Sequence, residues 1–167
     1  MDKYKLVSNS EQELIIKSLI DLIKTFPALP KSVKNIMFYD MLPDNECIGI
    51  GTNGGAKIFR KYIGNSYIGK YSFRMHYRYA TKNSDERLSK QSLLSTISEW
   101  LGGNTIINSD GTTYALESYP YVSDKIDIIE ISEENRAILV DKNKNGIEDS
   151  IIDLNLMYHK KGWYCNG

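Results

Sequence analysis

Cysteine is scarce in this chain. Its 167 residues hold two, Cys47 and Cys165, far apart and outside any C-x-x-C spacing. That argues against a disulfide scaffold and against a structural zinc site. Histidine is equally rare, with only His76 and His159. No apolar run approaches the roughly 18 residues that a membrane-spanning helix needs. Met1-Asp2-Lys3-Tyr4-Lys5 leads into a polar stretch and not an apolar one, so no secretory signal is read there and a reducing, cytosolic site of synthesis is expected. Net charge is missing too: 21 basic residues balance 21 acidic ones. A neutral total argues against a nucleic-acid coat or a polybasic membrane anchor. What remains is a chain of one-domain size, 41% apolar, rich enough to bury a core.

The neutrality conceals a gap. Between Cys47 and Ser84 there is no Asp or Glu, while Lys57, Arg60, Lys61, Lys70, Arg74, Arg78 and Lys82 all lie there. From Asp85 to Met157, 14 acidic residues face six basic ones. Two readings are open. The two segments neutralise each other inside one fold, or the basic face of one copy meets the acidic face of another.

Periodicity predicts the elements. Ser10-Glu11-Gln12-Glu13 has the form of a capping box, and Leu14, Ile15, Leu19, Leu22, Ile23 and Phe26 follow at helical spacing until Pro27 and Pro30. Strands are expected at Asn35–Tyr39 and Glu46–Ile50, with a turn at Leu42–Asn45, a loop at Gly51–Gly55, a strand at Ala56–Ile63 and a turn at Gly64–Ser66. The clearest pattern is Tyr67–Tyr79. One alternating set is Tyr67, Gly69, Tyr71, Phe73, Met75, Tyr77 and Tyr79; the other is Ile68, Lys70, Ser72, Arg74, His76 and Arg78. Alternation of this kind makes a strand with a buried aromatic face and a basic face for solvent or a partner.

A second helix is expected from Ser84, with acids in its first turn, an apolar stripe of Leu93, Leu94, Ile97, Trp100 and Leu101, and a stop at Gly102-Gly103. Asn104–Pro120 is expected to be irregular. Strands are predicted near Lys125–Ile131, Arg136–Val140 and Ile147–Tyr158, with turns at Ser132–Asn135 and Asp141–Gly146. The whole reads as a single α+β domain, 1–167, with two helices packed on one face of a mostly antiparallel sheet.

Local motifs are weak carriers of chemistry. Gly49-Ile50-Gly51-Thr52-Asn53-Gly54 matches G-x-G-x-x-G, yet no acid follows at the ribose-binding distance, and the next segment reads as strand. Asp141-Lys142-Asn143-Lys144-Asn145-Gly146 begins like a calcium loop. Asp141, Asn143, Asn145 and Asp149 are its candidate ligands, but Ile152 stands where a bidentate Glu belongs, and a hairpin turn explains the same residues. Neither His76, His159 nor Cys47 has a catalytic partner at a telling spacing. Paired acids such as Glu133-Glu134 sit where solvated turns are expected. No catalytic residue and no cofactor site is predicted. The basic strand residues Lys70, Arg74, His76 and Arg78 offer phosphate contacts, but the aromatics that would stack on bases face the core.

The order of several short patterns resembles the tail terminator proteins of long-tailed bacteriophages, also known as minor capsid or head–tail joining proteins. The turn Lys61-Tyr62-Ile63-Gly64-Asn65-Ser66 precedes the strand Tyr71-Ser72-Phe73-Arg74-Met75-His76-Tyr77-Arg78. Ser84-Asp85-Glu86-Arg87-Leu88, a helix closing on Trp100-Leu101, and the strand Leu154-Asn155-Leu156-Met157-Tyr158 follow. The resemblance runs from Ser10 to Tyr158; Asn104–Pro120 and Asp141–Gly146 carry no signature of the family. It implies a homo-oligomeric ring, commonly a hexamer, that caps the last layer of the tail tube and ends its growth. Such a ring meets the tail tube protein on one side and a head-side connector, or a sheath or collar protein, on the other. DNA crosses its lumen in headed particles; tail-like bacteriocins use a similar cap. The implied location is the virion or tail-like particle, after synthesis in the bacterial cytoplasm, with no membrane, cofactor or catalysis. The alternative is a small nucleic-acid- or calcium-binding α+β module. For the ring, the expected basic contact residues are Lys57, Arg60, Lys61, Lys70, Arg74 and Arg78, and the expected acidic counterparts are Asp124, Asp127, Glu130, Glu133 and Glu134.

Overall fold

A computed structural model describes residues 8–38, 42–142 and 145–162. The first helix, α1 (Asn9–Lys24), buries Ile15, Leu19, Leu22 and Ile23 along one stripe. It begins one residue before the predicted capping box. Ser8 is the cap position, in extended backbone, and its hydroxyl lies against that of Ser10 at 3.3 Å, with no side chain closing a cap bond. Thr25 ends the helix, donating its hydroxyl to the Leu22 carbonyl at 2.6 Å. Phe26, just past the helix, turns its ring edge-on to Trp100 and Tyr114.

Strands β1 (Asn35–Phe38) and β2 (Cys47–Lys61) pair in parallel, the single parallel junction of the main sheet. Where a loop was expected at Gly51–Gly55, β2 runs on. The strand absorbs those glycines as a bulge: its register against β3 (Tyr67–Ala80) jumps between Thr52 and Gly55, and Gly54 and Gly55 take positive φ. The side-chain amide of Gln12 accepts from Ala56 N at 3.3 Å, and at Gly55 a φ of +70° makes any larger side chain strained. A tight turn, with Tyr62 N on Ser66 O, leads into β3. There the predicted alternation holds: Tyr71, Phe73, Met75, Tyr77 and Tyr79 are fully buried.

Helix α2 (Ser84–Leu101) carries a reciprocal cap around Asn83. The Asn83 side chain accepts from Glu86 N, and the Glu86 carboxylate accepts from Lys82 N. Gly103, with φ +83°, turns the chain out of the helix. The stretch expected to be irregular contains a small hairpin, β4 (Ile106–Ile107) with β5 (Thr113–Tyr114), whose turn is held by the Asp110 carboxylate accepting from Thr112.

The C-terminal half departs most from expectation. Ser132–Asn135 does not turn; β6 (Ile126–Lys142) is one long strand paired with β7 (Ile147–Lys160), its register adjusted at four irregular points. Polar residues do not force a turn in an edge strand, because one flank already lies in water. Of the turn expected at Asp141–Gly146, Asp141 and Lys142 belong to β6, and Asn143 and Lys144 lie outside the described residues. The main sheet has the order β1-β2-β3-β7-β6. Ile152, Leu154, Leu156 and Tyr158 of β7 join the β3 aromatics and the stripes of both helices in one core, giving the expected α+β architecture with both helices on one face.

Gly69 sits opposite Tyr158, and a Cβ there would lie 2.2 Å from the ring. Gly69→Ala is therefore expected to cost roughly 1–3 kcal/mol of stability through overpacking, read by denaturant unfolding; a variant as stable as the parent would show that the ring can move aside.

Candidate functional site

The sheet has three surfaces on which a partner can act: the face turned away from the helices, and its two edges. The far face is built by register. Alternate residues of β3 present Ser72, Arg74, His76 and Arg78; alternate residues of β7 present Asn155, Asp153, Ile151 and Asp149 directly opposite them. Ser72 donates to Asn155 at 2.7 Å. Arg74 holds Asp153 through two bonds of 2.7 and 3.0 Å, and Arg78 holds Asp149 through two of 2.8 Å. Arg78 also donates to the carbonyls of Leu42 and Pro43. His76 Nε2 lies 3.4 Å from the Asp149 carboxylate.

These contacts set the titration. Burial opposes ionisation of Asp149, but the hydrogen bonds and charge of Arg78, with a contribution from His76, outweigh it, and its carboxyl is held below the usual range. The hydrogen bond from Arg74 does the same for Asp153. Burial pushes His76 down, so the imidazole is neutral at pH 7. Beside this ladder Gly51–Asn53, Arg74, His76, Val140 and Ile151 line a cleft of about 280 Å³, just below the ~300–1,000 Å³ of drug-sized ligand pockets.

This geometry divides the expected basic contact residues into two groups. Arg74 and Arg78 are committed to acids of their own fold. The reading in which opposite segments neutralise each other internally applies to both. Lys70 is half-buried, between Lys57 and Met157 in the pairing. Only Lys57, Arg60 and Lys61 stand exposed, all on β2 beyond the part covered by β1, with the Arg60 guanidinium 6.0 Å from the Tyr62 ring. The acidic candidates divide likewise. Asp124 accepts from Tyr121, and Asp127 pairs with Lys161 at 3.0 Å. Glu130, Glu133 and Glu134 lie exposed along β6, with Glu133 accepting from Ser98 at 3.1 Å. Of the candidate residues, the exposed bases thus lie on β2 and the exposed acids of the sheet on β6.

The remaining motifs resolve simply. Gly49–Gly54 lies within β2 and opens no helix, so it lacks the strand-to-helix turn of a dinucleotide site. The calcium reading loses Asp149, whose two carboxylate oxygens both accept from Arg78. Asn145 is in the exposed hairpin turn, Asp141 is in β6, and Asn143 lies outside the described residues. Among the described residues no group of three or more His, Cys, Asp or Glu side chains is placed to hold a metal. Cys47 is fully buried with its thiol pointing to the Pro43 carbonyl, and burial pushes that thiol up. Cys165 lies outside the described residues. His159 is half-buried in β7.

Sequence reasoning missed the polar groups inside the helix face. Glu46 accepts from Tyr77 and from Lys90. Glu148, fully buried, takes the Arg87 side chain of α2 at 2.7 Å. The strand period places Glu148 on that inward face, and was the available signal for it. No protein-family model matches this sequence, and a search of curated proteins finds no match. No helix among the described residues is long and apolar enough to cross a membrane.

Acid should weaken the fold through the far-face ladder. Asp149 and Asp153 contribute stability that is present above the ordinary carboxylate range and lost as pH falls through it; neutral His76 adds a loss as pH falls below about 6.5. Denaturant midpoints are expected to drop modestly from pH 7 to about pH 5 through His76 and more steeply below about pH 4 through the two carboxylates, and Arg78→Ala to cost roughly 3–5 kcal/mol at pH 7 by stranding Asp149. A flat pH profile would contradict this.

Proposed function

We propose that this chain is a phage-type tail terminator, assembling into a ring that caps a tail tube. The observation that carries the reading is the inequality of the sheet's two sides. One side ends in β1 and the uncovered, basic half of β2; the other ends in the long, acidic strand β6. Contact between unlike patches is head-to-tail, and a head-to-tail contact that closes gives a ring that does not grow further. A terminator uses that property: it binds the last layer of a polymer without extending it. The ordered motifs from Lys61 to Tyr158 support the same reading. On it, the partners are further copies of the chain, the tail tube protein, and a head-side connector or a sheath or collar protein. The protein would reside in the virion or a tail-like particle.

The nucleic-acid alternative draws less support, because Arg74 and Arg78 are held by Asp153 and Asp149. The calcium alternative draws less as well, because Asp149 is committed.

The test is assembly with tail-tube protein. Light scattering is expected to give a discrete oligomer, and electron microscopy to find the protein at tube ends only, with mean tube length falling as its concentration rises. Tubes that ignore the protein, or bind it along their whole length, would defeat the reading.

A further inference from the structure

The outer side of α1 carries a groove. Ile16 and Ile20 of the helix line it with Phe38 of β1, which shares a face of that strand with Ile36, a residue packed against the core. An outward helix face is ordinarily polar, yet Ile16 and Ile20 are only half-buried and Phe38 is 47% exposed. The groove has a volume of about 640 Å³ and follows the helix from Asn9 to Lys24, the form of a seat for an elongated partner. Four exposed charges also line it: Glu13, Lys17, Asp21 and Lys24. Their signs alternate. Within one helix that alternation supports the helix itself, as in the 3.8 Å contact of Asp21 with Lys24. Read from the other end, however, minus-plus-minus-plus becomes plus-minus-plus-minus. A second α1 laid antiparallel along the groove therefore sets opposite charges together at all four places. A parallel one in register would set like charges together.

We infer that the occupant of this groove is α1 of a second copy, the two helices lying antiparallel about a two-fold axis that passes level with Ser18 and Leu19. With the axis there, Glu13 stands level with the second copy's Lys24, and Lys17 with its Asp21, to within one residue, about 1.5 Å along the helix. Ile16 and the second copy's Ile20 come within two residues of level, about 3 Å, so apolar groups meet between the charged ones. The same register thus serves the charges and the apolar floor. Because the operation is two-fold, each contact is made twice. This pairing goes beyond the ring reading and does not rest on it. It joins one surface to its own copy and closes at two chains, whereas the ring contact joins unlike surfaces.

Zero-length carbodiimide coupling of the full chain, read by peptide mass spectrometry, tests the alignment. Glu13 and Lys24 are about 16 Å apart along one helix, too far to be joined within a chain. A Glu13–Lys24 amide in covalent dimers is the expected product. Sedimentation equilibrium supplies the second readout. Lys17→Glu and Asp21→Lys should each weaken association by about tenfold, and the double variant should recover most of it. Both side chains are exposed, so circular dichroism and the unfolding midpoint should stay close to the parent. Covalent dimers linked elsewhere but never between Glu13 and Lys24 would overturn the pairing. So would a parent that stays monomeric at high concentration, or an association indifferent to both reversals. Loss in both single variants without recovery in the double would overturn the antiparallel alignment. Dimers that behave as described while tail tubes go uncapped would support the pairing and remove only the tail reading.

Discussion

The pairing of β3 with β7 governs the rest of the molecule. Residue by residue it sets Arg74 on Asp153 and Arg78 on Asp149, and in the same stroke sends Tyr71, Phe73, Met75, Tyr77 and Tyr79 to the other face. A slip of one residue would invert both faces, driving arginines into the core and tyrosines into water. The ion pairs and the aromatic core therefore specify the same register from opposite sides. Buried pairs of this kind add little stability over apolar substitutes, but leaving one partner alone is costly, which suits them to enforcing alignment.

That arrangement also accounts for how the chain is polarised in sequence yet balanced in space. The acid-free stretch Cys47–Ser84 supplies β2 and β3, and the acid-rich stretch supplies β6 and β7. Placing β3 beside β7 cancels charge at the centre of the sheet. Charge at the flanks has no such neighbour, so the bases of β2 and the acids of β6 remain exposed. The uncompensated charge is thus left at the two sides of the sheet.

Much of this was legible from residue order. The alternation of Tyr67–Tyr79 and the stripe from Leu93 to Leu101 are strong periodic signals, and both elements stand where they were read. Two of the departures share one cause. Glycines at Gly51–Gly55 and polar residues at Ser132–Asn135 look like chain reversals, but long neighbouring strands hold them in line as bulges, and only tertiary pairing supplies those neighbours. The surroundings of the candidate contact residues were hidden for a related reason. Alternation told that Arg74 and Arg78 share a face, but not that Asp149 and Asp153 would be laid across from them. Lys57, Arg60 and Lys61 needed the sheet order before they could be told apart from the committed arginines.

Glu11, buried on α1, accepts the Tyr67 hydroxyl at 2.6 Å and lies 3.4 Å from the Lys160 ammonium. The first helix and the last described strand are therefore fastened at one carboxylate, together with β3, so that neither can come loose from the sheet without stranding a buried charge.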